Sequence, residues 1–464
     1  MRVKKVSKRG TTTTIAAVAA IVTLIVGIVI GIAVSPALFP PAPPPPPVGM
    51  VPKADYDAAI AERDKAKSDY SALKADYDSL KADYEELKAA GLPDEIKIGV
   101  VYPLSGPIAS ICVKILQAAE LAAKIVNDRG GIAGRSVKLI VEDSASDPEK
   151  TIESVKKLVE VDGVQVIVGP ATSPSMLAVA EYLNRRHVPI ISPSATAIKI
   201  GTEYGDDYLF RTVVSDALQT AGLADLVKDQ GWKRIATFVL GQDYGIGMEE
   251  GLKKYLEEVA PEVEVVVSIR YDPEKMEYKS ELQQVKDANP DAIFYATWVD
   301  DGWVIFRQAM DLGLEGIPTF GGEGMCDVAF FEDPTAAEYM STTHMMGTKP
   351  YSPTESYSYI QFYEAFKEAF GEEPGLFSDY MFDATMIAIL SVAEAGVYDG
   401  EAIKEAIPVV AEHYIGASGQ KAMDQNGDQL LGMYDIWEIV MTPEGAEYHF
   451  IGRWEKTTGI TWTG

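Results

Sequence analysis

Two runs of apolar residues in this sequence end in hydroxyl side chains. Residues 166–176 read VIVGPATSPSM, and residues 188–200 read VPIISPSATAIKI. The hydroxyls of interest are Ser173 in the first run and Ser194 and Thr196 in the second. A serine followed by proline is typical of a helix start with the serine as N-cap, and the free N–H groups and dipole there favour an anion. We therefore predict a carboxylate-binding subsite, with an ordinary cap facing water as the alternative for each Ser-Pro pair.

A second polar cluster follows three later apolar runs. These runs end in the sequences DYG, TW and GGEG, which supply Tyr244, Trp298 and Glu323. A single acidic residue on a loop is usually solvated, but one that faces hydroxyls across a cleft would receive an ammonium group. The two aromatic rings would cover an apolar side chain. Together the two clusters suit a zwitterion, with its carboxylate on the hydroxyls and its amine on Glu323.

Apolar strands and amphipathic helices alternate through most of the chain. The strand IKIGVVY (96–102) has no polar alternation, which is typical of a parallel sheet that helices cover on both faces. The alternation restarts once, so we predict an α/β fold with two lobes, roughly 94–215 and 216–347. Ligands of such sheets bind at the carboxyl ends of the strands, where both polar clusters fall.

Residues 1–35 are predicted to address the protein to a membrane. The basic tip MRVKKVSKRG precedes an uncharged apolar run from Ile15 to Val34, which as a helix would span roughly 30 Å, the thickness of a bilayer core. Basic residues before the run favour a cytoplasmic tip and an extracytoplasmic remainder. Because the run exceeds a typical signal-peptide core, we predict a single-pass anchor. A signal peptide cleaved near Ala37 is the alternative.

A spacer is predicted between this segment and the α/β body. Residues 36–52 are rich in consecutive prolines, which favour an extended polyproline II linker. Residues 53–91 read as a helical stalk, and within it residues 67–87 repeat tyrosine and leucine at alternating spacings of three and four. Three heptads are the minimum for a coiled coil. The stalk therefore either associates with a second copy or stands alone as a solvated helix.

Composition and motifs exclude several classes of function. The net charge of −28, from 69 acidic and 41 basic residues, argues against nucleic-acid binding, which needs a basic surface. The two cysteines and four histidines show no metal-ligand spacing and no nucleophile–base pair, so we expect no metal, no cofactor and no enzyme activity. The stretch DQNGD (424–428) lacks the glycine and glutamate of a calcium loop and is predicted to be a hairpin turn at Asn426-Gly427.

An ordered series of motifs resembles one known family. In chain order these are IKIGVVYPLSGPIAS, NDRGGIAGRSVKLIVEDSASDP, VQVIVGPATSPS, VPIISPSATA, FRTVVSD, DYGIGMEEGLKK, FRQAMDLGL and FGGEG. They resemble the branched-chain amino-acid-type (Leu/Ile/Val-binding) substrate-binding proteins of ABC transporters, over about residues 94–464. The resemblance implies a type I periplasmic-binding clamshell of two Rossmann-like lobes joined by three crossovers. It divides the body into a first lobe of 94–215 plus 351–415 and a second lobe of 216–347 plus 431–464.

The resemblance also implies roles for individual residues. Ser173 and Thr196 match carboxylate-binding hydroxyls, with the backbone around Ser194 contributing. Glu323 matches the ammonium-binding glutamate. Tyr244 matches a cleft tyrosine, and Trp298 stands where an aromatic residue often lines the pocket.

The chain departs from the family pattern after its Leu-Ser-Gly-Pro turn. Family members often have Tyr-Gly where this chain has Ile111-Cys112, so the side-chain pocket lacks an aromatic wall and the ligand's identity is left open. The disulfide of some members has no equivalent here. Cys112 and Cys326 would face the cleft from opposite lobes, and we expect two free thiols.

Two classes of function are consistent with these features. The first is a membrane-tethered receptor that captures an apolar or branched-chain-type amino acid and delivers it to an ABC permease. The second is a partner-coupled sensory or adhesive ectodomain that uses the same clamshell. Amides and urea-like solutes remain alternative ligands of either.

Overall fold

The computed structural model describes residues 53–89, 91–106, 108–204, 208–273 and 275–463. The predicted anchor and the proline-rich linker lie outside the described residues. Among the residues that are described, no helix is both long and apolar enough to cross a membrane.

The predicted stalk contains one long helix, α1 (Lys53–Ala89), of 37 residues. This helix, as far as Glu86, belongs to a compact unit that is separate from the α/β body, and the second unit begins at Leu87. Good helix formers and the absence of glycine and proline explain its length, because neither breaker interrupts the run between Lys53 and Ala89. Pairing of this helix with a second copy stays a prediction.

The first sheet has five parallel strands in the order β2-β1-β3-β4-β5. Ile96, Ile98 and Val100 on β1 are fully buried, as expected for a strand that helices cover on both faces. The strands are β1 (Glu95–Tyr102), β2 (Ser136–Asp143), β3 (Ile167–Val168), β4 (Ile190–Ser192) and β5 (Leu209–Arg211). The helices between them are α2 (Ala109–Asp128), α3 (Pro148–Glu160), α4 (Ser173–Arg186) and α5 (Ile198–Glu203).

The second sheet has eight strands in the order β15-β14-β13-β10-β9-β8-β6-β7. Its parallel part is β6 (Arg234–Leu240), β7 (Glu264–Tyr271), β8 (Ala292–Ala296), β9 (Thr319–Gly321) and β10 (Met346–Pro350). An antiparallel extension follows, formed by β13 (Met433–Thr442), β14 (Gly445–Glu455) and β15 (Gly459–Trp462). The associated helices are α6 (Asp216–Gln230), α7 (Asp243–Val259), α8 (Lys279–Asp287), α9 (Val299–Asp311) and α10 (Pro334–Thr342).

Three further helices lie between the two parts of the second sheet in sequence but pack against the first. They are α11 (Tyr357–Phe370), α12 (Ser378–Ala395) and α13 (Gly400–His413), followed by the short strands β11 (Ile415–Gly416) and β12 (Gly419–Gln420). Phe362 and Phe366 are buried in the hydrophobic core that also contains β1, so these aromatic residues are core residues. The chain consequently passes between the sheets after β5, after β10 and after β12.

The predicted hairpin at Asn426-Gly427 is only partly correct. A tight turn does form, in which Asp424 Oδ1 accepts the backbone N–H groups of Asn426 and Asp428, and Met423 pairs with Gln429 in an isolated bridge. The strand that follows, β13, pairs with β10 and β14 and not with the residues before the turn. Local turn chemistry was readable from the sequence, whereas the partner of the strand depends on long-range packing.

Candidate functional site

The Ser173 hydroxyl holds a neighbouring loop and does not cap its own helix. The N-cap of α4 is Thr172, which makes no side-chain capping hydrogen bond, and Ser173 is the first helical residue. The Ser173 hydroxyl oxygen accepts the backbone N–H of Ala197 at 3.1 Å. The prediction of Ser173 as N-cap is therefore wrong, because the hydroxyl of this buried residue turns toward the loop after β4, which contains Thr196.

Ser194 lies on the same loop and is fully engaged in the structure. Its hydroxyl donates to the carbonyl of Ala171 at 2.9 Å and lies 3.0 Å from the Tyr102 hydroxyl. Its backbone N–H donates to the Ser192 hydroxyl at 3.3 Å. Ser194 thus connects the loops after β3 and β4 at the carboxyl edge of the first sheet.

Thr196 and Glu323 meet between the two sheets. Thr196 follows β4 of the first sheet, and Glu323 begins a 3-10 turn (Glu323–Met325) directly after β9 of the second. The Thr196 hydroxyl lies 3.5 Å from Glu323 Oε1, at the long limit of a hydrogen bond. Each residue is 2% exposed. The hydroxyl cluster and the acid therefore face each other in an interior location.

Two aromatic rings lie beside this meeting point. Tyr244 stacks on Trp298 with ring centroids 4.9 Å apart and an interplanar angle of 20°. The Tyr244 hydroxyl approaches the Glu323 turn so closely that a Cβ on Gly324 would lie 3.0 Å from it. A Cβ on Gly322 would lie 2.7 Å from the Met248 methyl group. The glycines on both sides of Glu323 thus allow the close packing that places its carboxylate in the site.

Asp216 and Gln219 were missed by the reading of the sequence. Asp216 is the first residue of α6, its backbone N–H donates to the Thr196 carbonyl at 2.9 Å, and its side chain is fully buried. The Gln219 amide nitrogen donates to the Thr348 carbonyl at 3.0 Å. The sequence did contain one signal for Asp216, because Ser215 and Asp216 lie where the resemblance predicts the first crossover between the lobes. An acidic residue in the first turn of a helix has the simpler explanation of favouring the helix dipole.

Several polar atoms of this cluster have no hydrogen-bond partner among the described residues. They are both carboxylate oxygens of Asp216, Gln219 Oε1, the Tyr244 hydroxyl and Glu323 Oε2. Buried polar groups are normally paired, because an unpaired group costs the free energy of its desolvation. Four of these five atoms are acceptors, so the cluster lacks donors.

The buried Arg211, whose charge acts on Asp216, is already paired. The Arg211 guanidinium, which is 0% exposed, donates to both carboxylate oxygens of Asp428 at 2.6 and 2.8 Å. Its remaining nitrogen donates to the carbonyls of Ala195 and Ala197, at 3.3 and 3.1 Å, on either side of Thr196. Arg211 therefore fixes the Thr196 loop, and its charge is balanced by Asp428.

The pKa values of the acids reflect this environment. Burial raises the pKa of Glu323 above its usual range. Burial, and secondly the charge of Glu323, raises the pKa of Asp216 strongly, while Arg211 opposes the shift. Removal from water disfavours the charged form of a carboxyl group, and a like charge nearby disfavours it further.

The residues that depart from the family pattern lie around the same region. Ile111 packs against the hydrophobic clusters of both sheets. Cys112 and Cys326 are free thiols, as expected, and burial raises the pKa of each to about 12. Neither is therefore a reactive thiolate at neutral pH.

This architecture is that of a two-sheet α/β protein with a buried polar site where the sheets face each other. The chain belongs to the periplasmic binding protein family, whose sequence profile matches residues 95–441. The architecture agrees with the type I fold of that family.

Two curated relatives illustrate the similarity. The Leu/Ile/Val-binding protein homolog 3 of Brucella melitensis is 27% identical over 241 residues, which cover 51% of this chain and 63% of that protein. The leucine-, isoleucine-, valine-, threonine-, and alanine-binding protein of Pseudomonas aeruginosa is 27% identical over 339 residues, which cover 72% of this chain and 87% of that protein. The chain thus spans less than two thirds of the first relative and most of the second. Both are binding proteins.

Solved structures with the same fold hold chemically different ligands. A branched-chain amino acid transporter substrate-binding protein from Streptococcus pneumoniae, in complex with isoleucine, is 24% identical with a TM-score of 0.63, covering 77% of this chain and 99% of that chain. An ABC-transporter solute-binding protein from Rhodopseudomonas palustris, in complex with 3,4-dihydroxybenzoic acid, is 23% identical with a TM-score of 0.66, covering 80% and 99%. The fold alone therefore does not specify the ligand.

Proposed function

We propose that this chain is the extracytoplasmic solute-binding receptor of an ABC importer, and that it binds an amino acid with an apolar side chain between two lobes. The lobes are proposed to be residues 94–215 plus 351–415 and residues 216–347 plus 431–464. The observation that carries the proposal is the 3.5 Å approach of the Thr196 hydroxyl to Glu323 Oε1 in a buried location. Membership of the family and the two relatives named for leucine, isoleucine and valine support it.

In this proposal the two ends of the amino acid have separate partners. Ser173, Ser194 and Thr196 receive the carboxylate through hydroxyl and backbone groups near the start of α4, where the helix dipole favours an anion. Glu323 receives the ammonium. Burial between lobes strengthens these charge-assisted hydrogen bonds because water no longer competes with them. The hydroxyl contacts present in the structure would be exchanged for contacts with the ligand.

The side chain of the ligand is proposed to lie on an apolar surface. Tyr244 and Trp298 supply one wall through their stacked rings. Ile111, which packs against both hydrophobic clusters, supplies an aliphatic wall. An aliphatic wall in place of an aromatic one favours a branched aliphatic side chain, because shape matching in an apolar pocket discriminates by size.

The N-terminal segments are proposed to hold this receptor at the cell membrane. The apolar run Ile15–Val34 would be a single-pass anchor, and residues 36–91 a spacer whose helix α1 spans 37 residues. At 1.5 Å per residue that helix is roughly 55 Å long. Self-association through residues 67–87 and docking to ABC permease subunits belong to the same proposal.

Titration calorimetry with each of the twenty amino acids tests the binding function. We expect at least one apolar amino acid to bind, and Glu323→Gln to weaken its binding by about 1.5–3 kcal/mol, the scale of a hydrogen bond to a charged group. Glu338→Gln, which changes an exposed acid on α10, is the matched control. Absence of binding by every α-amino acid contradicts the function. An unchanged affinity in Glu323→Gln contradicts the role of Glu323.

A further inference from the structure

A hydroxyl series of one acid, two hydroxyls and one carbonyl ends at the backbone of Trp298. Tyr271 is the last residue of β7 and is 2% exposed, and its hydroxyl donates to Asp301 Oδ2 at 3.1 Å. The same hydroxyl lies 2.5 Å from the hydroxyl of Thr297, which follows β8 and is fully buried. The Thr297 hydroxyl in turn lies 3.2 Å from the Trp298 carbonyl, to which it can donate.

The hydroxyl series reaches the residues that surround Glu323. The Trp298 ring stacks on the Tyr244 ring. A Cβ on Gly324, the residue after Glu323, would lie 3.2 Å from the Thr297 carbonyl and 3.3 Å from the Trp298 ring. Thr297 and Trp298 therefore pack closely on the Glu323 turn, and a shift of their backbone would move a wall of the proposed ligand pocket.

The hydroxyl series has three hydrogen-bonding contacts but only two hydroxyl hydrogens to make them. When Asp301 is ionised, it accepts the hydrogen of Tyr271, which in turn accepts that of Thr297. No hydroxyl hydrogen is then left for the Trp298 carbonyl. When Asp301 is protonated, its own hydrogen goes to Tyr271 and both hydroxyls reverse. Thr297 then donates to the Trp298 carbonyl, and all three contacts are made.

Asp301 takes up a proton not far below neutral pH. Burial raises its pKa to about 6, the hydrogen bond from Tyr271 opposes this shift, and the charge of Asp300, an exposed acid of the same helix, adds to it. Tyr271 on β7 and Tyr278 before α8 also face Asp301. Burial raises the pKa of both phenols, that of Tyr278 to about 12, so they stay protonated while Asp301 titrates.

We propose that Tyr271 is a positioning residue for Trp298 and acts through Thr297, with the direction of the hydroxyl series set by protonation of Asp301. The inference rests on the proposed function, in which Trp298 is a wall of the ligand pocket, and adds that this wall responds to a nearby acid. In the protonated state the Trp298 carbonyl accepts from Thr297 as well as from the backbone N–H of Gly302, so its position is fixed by two donors. The simpler role of an acid in the first turn of a helix, which is to favour the helix dipole, predicts no such link.

Fluorine NMR of the full chain, labelled with 5-fluorotryptophan, tests the link without any ligand. The Trp298 resonance is the one that disappears in Trp298→Phe. We expect this resonance to shift with pH, with a midpoint near the pKa of about 6, and to lose the titration in Asp301→Asn and in Tyr271→Phe. A Trp298 resonance that does not titrate between about pH 5 and pH 7, or that titrates unchanged in Tyr271→Phe, overturns the inference.

Two further variants complete this test. Thr297→Val, which removes the hydroxyl from a side chain of similar shape, should also abolish the titration, and it decides if Tyr271→Phe does not fold. Asp300→Asn is the matched control, because it changes the exposed acid next to Asp301. It should keep the titration and lower its midpoint slightly, since a like charge is removed. Loss of the titration in Asp300→Asn together with its retention in Asp301→Asn overturns the inference.

Calorimetry with L-leucine measures what the link does to binding. The side-chain amide in Asp301→Asn can donate to Tyr271 at every pH, as the protonated acid does. We therefore expect the unmodified chain and this variant to bind leucine equally at about pH 5, and the variant to bind it about twofold or more tightly at about pH 7.5. Equal affinities at both pH values overturn the positioning role. If neither protein binds any amino acid, the proposed function fails, and the fluorine titration still decides whether the link exists.

Discussion

The pair formed by Arg211 and Asp428 connects the third crossover to the loop that carries Thr196, and its removal should be costly. Asp428→Ala would leave the Arg211 guanidinium, which is 0% exposed, without its counter-charge. Breaking a buried ion pair by removing one partner costs about 3–5 kcal/mol, because an uncompensated charge stays in the interior. The Asp428 side chain is 17% exposed, so partial access of water should place the loss near the lower end of that range.

Urea unfolding of the variant and the unmodified chain would measure this loss from the two midpoints and a common slope. The control is Glu181→Ala, which breaks the exposed pair with Arg185 on α4 and should lower the free energy of unfolding by less than about 1 kcal/mol. A double variant, Arg211→Met with Asp428→Leu, should recover part of the loss because no charge is left unpaired. A loss in Asp428→Ala no larger than in the control would refute the reasoning.

Two other predictions concern the Glu323 turn and its neighbours. In Gly324→Ala the new Cβ would lie 3.0 Å from the Tyr244 hydroxyl and 3.2 Å from the Thr297 carbonyl. Glu323 should therefore be displaced, and the ligand affinity measured by calorimetry should fall by roughly tenfold. The control Gly316→Ala, where nothing lies within 4 Å of the new Cβ, should keep the affinity of the unmodified chain. Because burial raises the pKa values of Asp216 and Glu323, their contribution to stability is fully present below the unfolded pKa values of about 4 and is lost as pH rises through the folded ones. As pH rises above about 4, the ligand-free chain should therefore lose stability relative to the Asp216→Asn, Glu323→Gln double variant, as measured by urea unfolding. A stability difference between the two proteins that stays constant with pH would contradict the assignment of the pH dependence to Asp216 and Glu323. The other groups that face the acids are Arg211, which is paired, and the phenols of Tyr244 and Tyr434, whose pKa values burial raises.

The layered fold was readable from the sequence because its strands have no polar face. Ile96, Ile98 and Val100 on β1 are fully buried, as are Phe294 and Tyr295 on β8, and such runs are compatible only with helices on both sides of a sheet. The motif order allowed the three crossovers to be expected from the resemblance. The pairing of β13 was not readable, because the turn at Asn426-Gly427 specifies a local reversal and says nothing about which distant strand lies alongside.

The sequence predicted a candidate site from its residue types, but it did not predict the hydrogen bonds that the structure shows there. Glu323 between glycines at a strand end and Thr196 after a neighbouring strand were identifiable, and the structure brings them to 3.5 Å. The hydrogen bond of the Ser173 hydroxyl was not identifiable, because a serine before proline gives the same sequence signal whether it bonds its own helix or the adjacent loop. Asp216 escaped for a similar reason. Its burial depends on the packing of α6 against the Thr196 loop, a contact between segments that local spacing does not encode.

The two buried acids also provide a physical reason for closure to depend on ligand. A ligand shifts a conformational equilibrium only by the difference in its affinity for the two states. In the proposed closure of the two lobes, which would bring Thr196 and Glu323 together as they are in the structure, the acids leave water and must either take up protons or accept a cation. An ammonium brought by the ligand offsets this desolvation penalty in the closed state. It stabilises an open state much less, because water already solvates the carboxylates there. The amine end of the ligand should therefore supply most of the coupling between binding and closure. Isocaproate, which is leucine without its amine, should fail to close the protein even at concentrations where its carboxylate occupies the hydroxyl cluster.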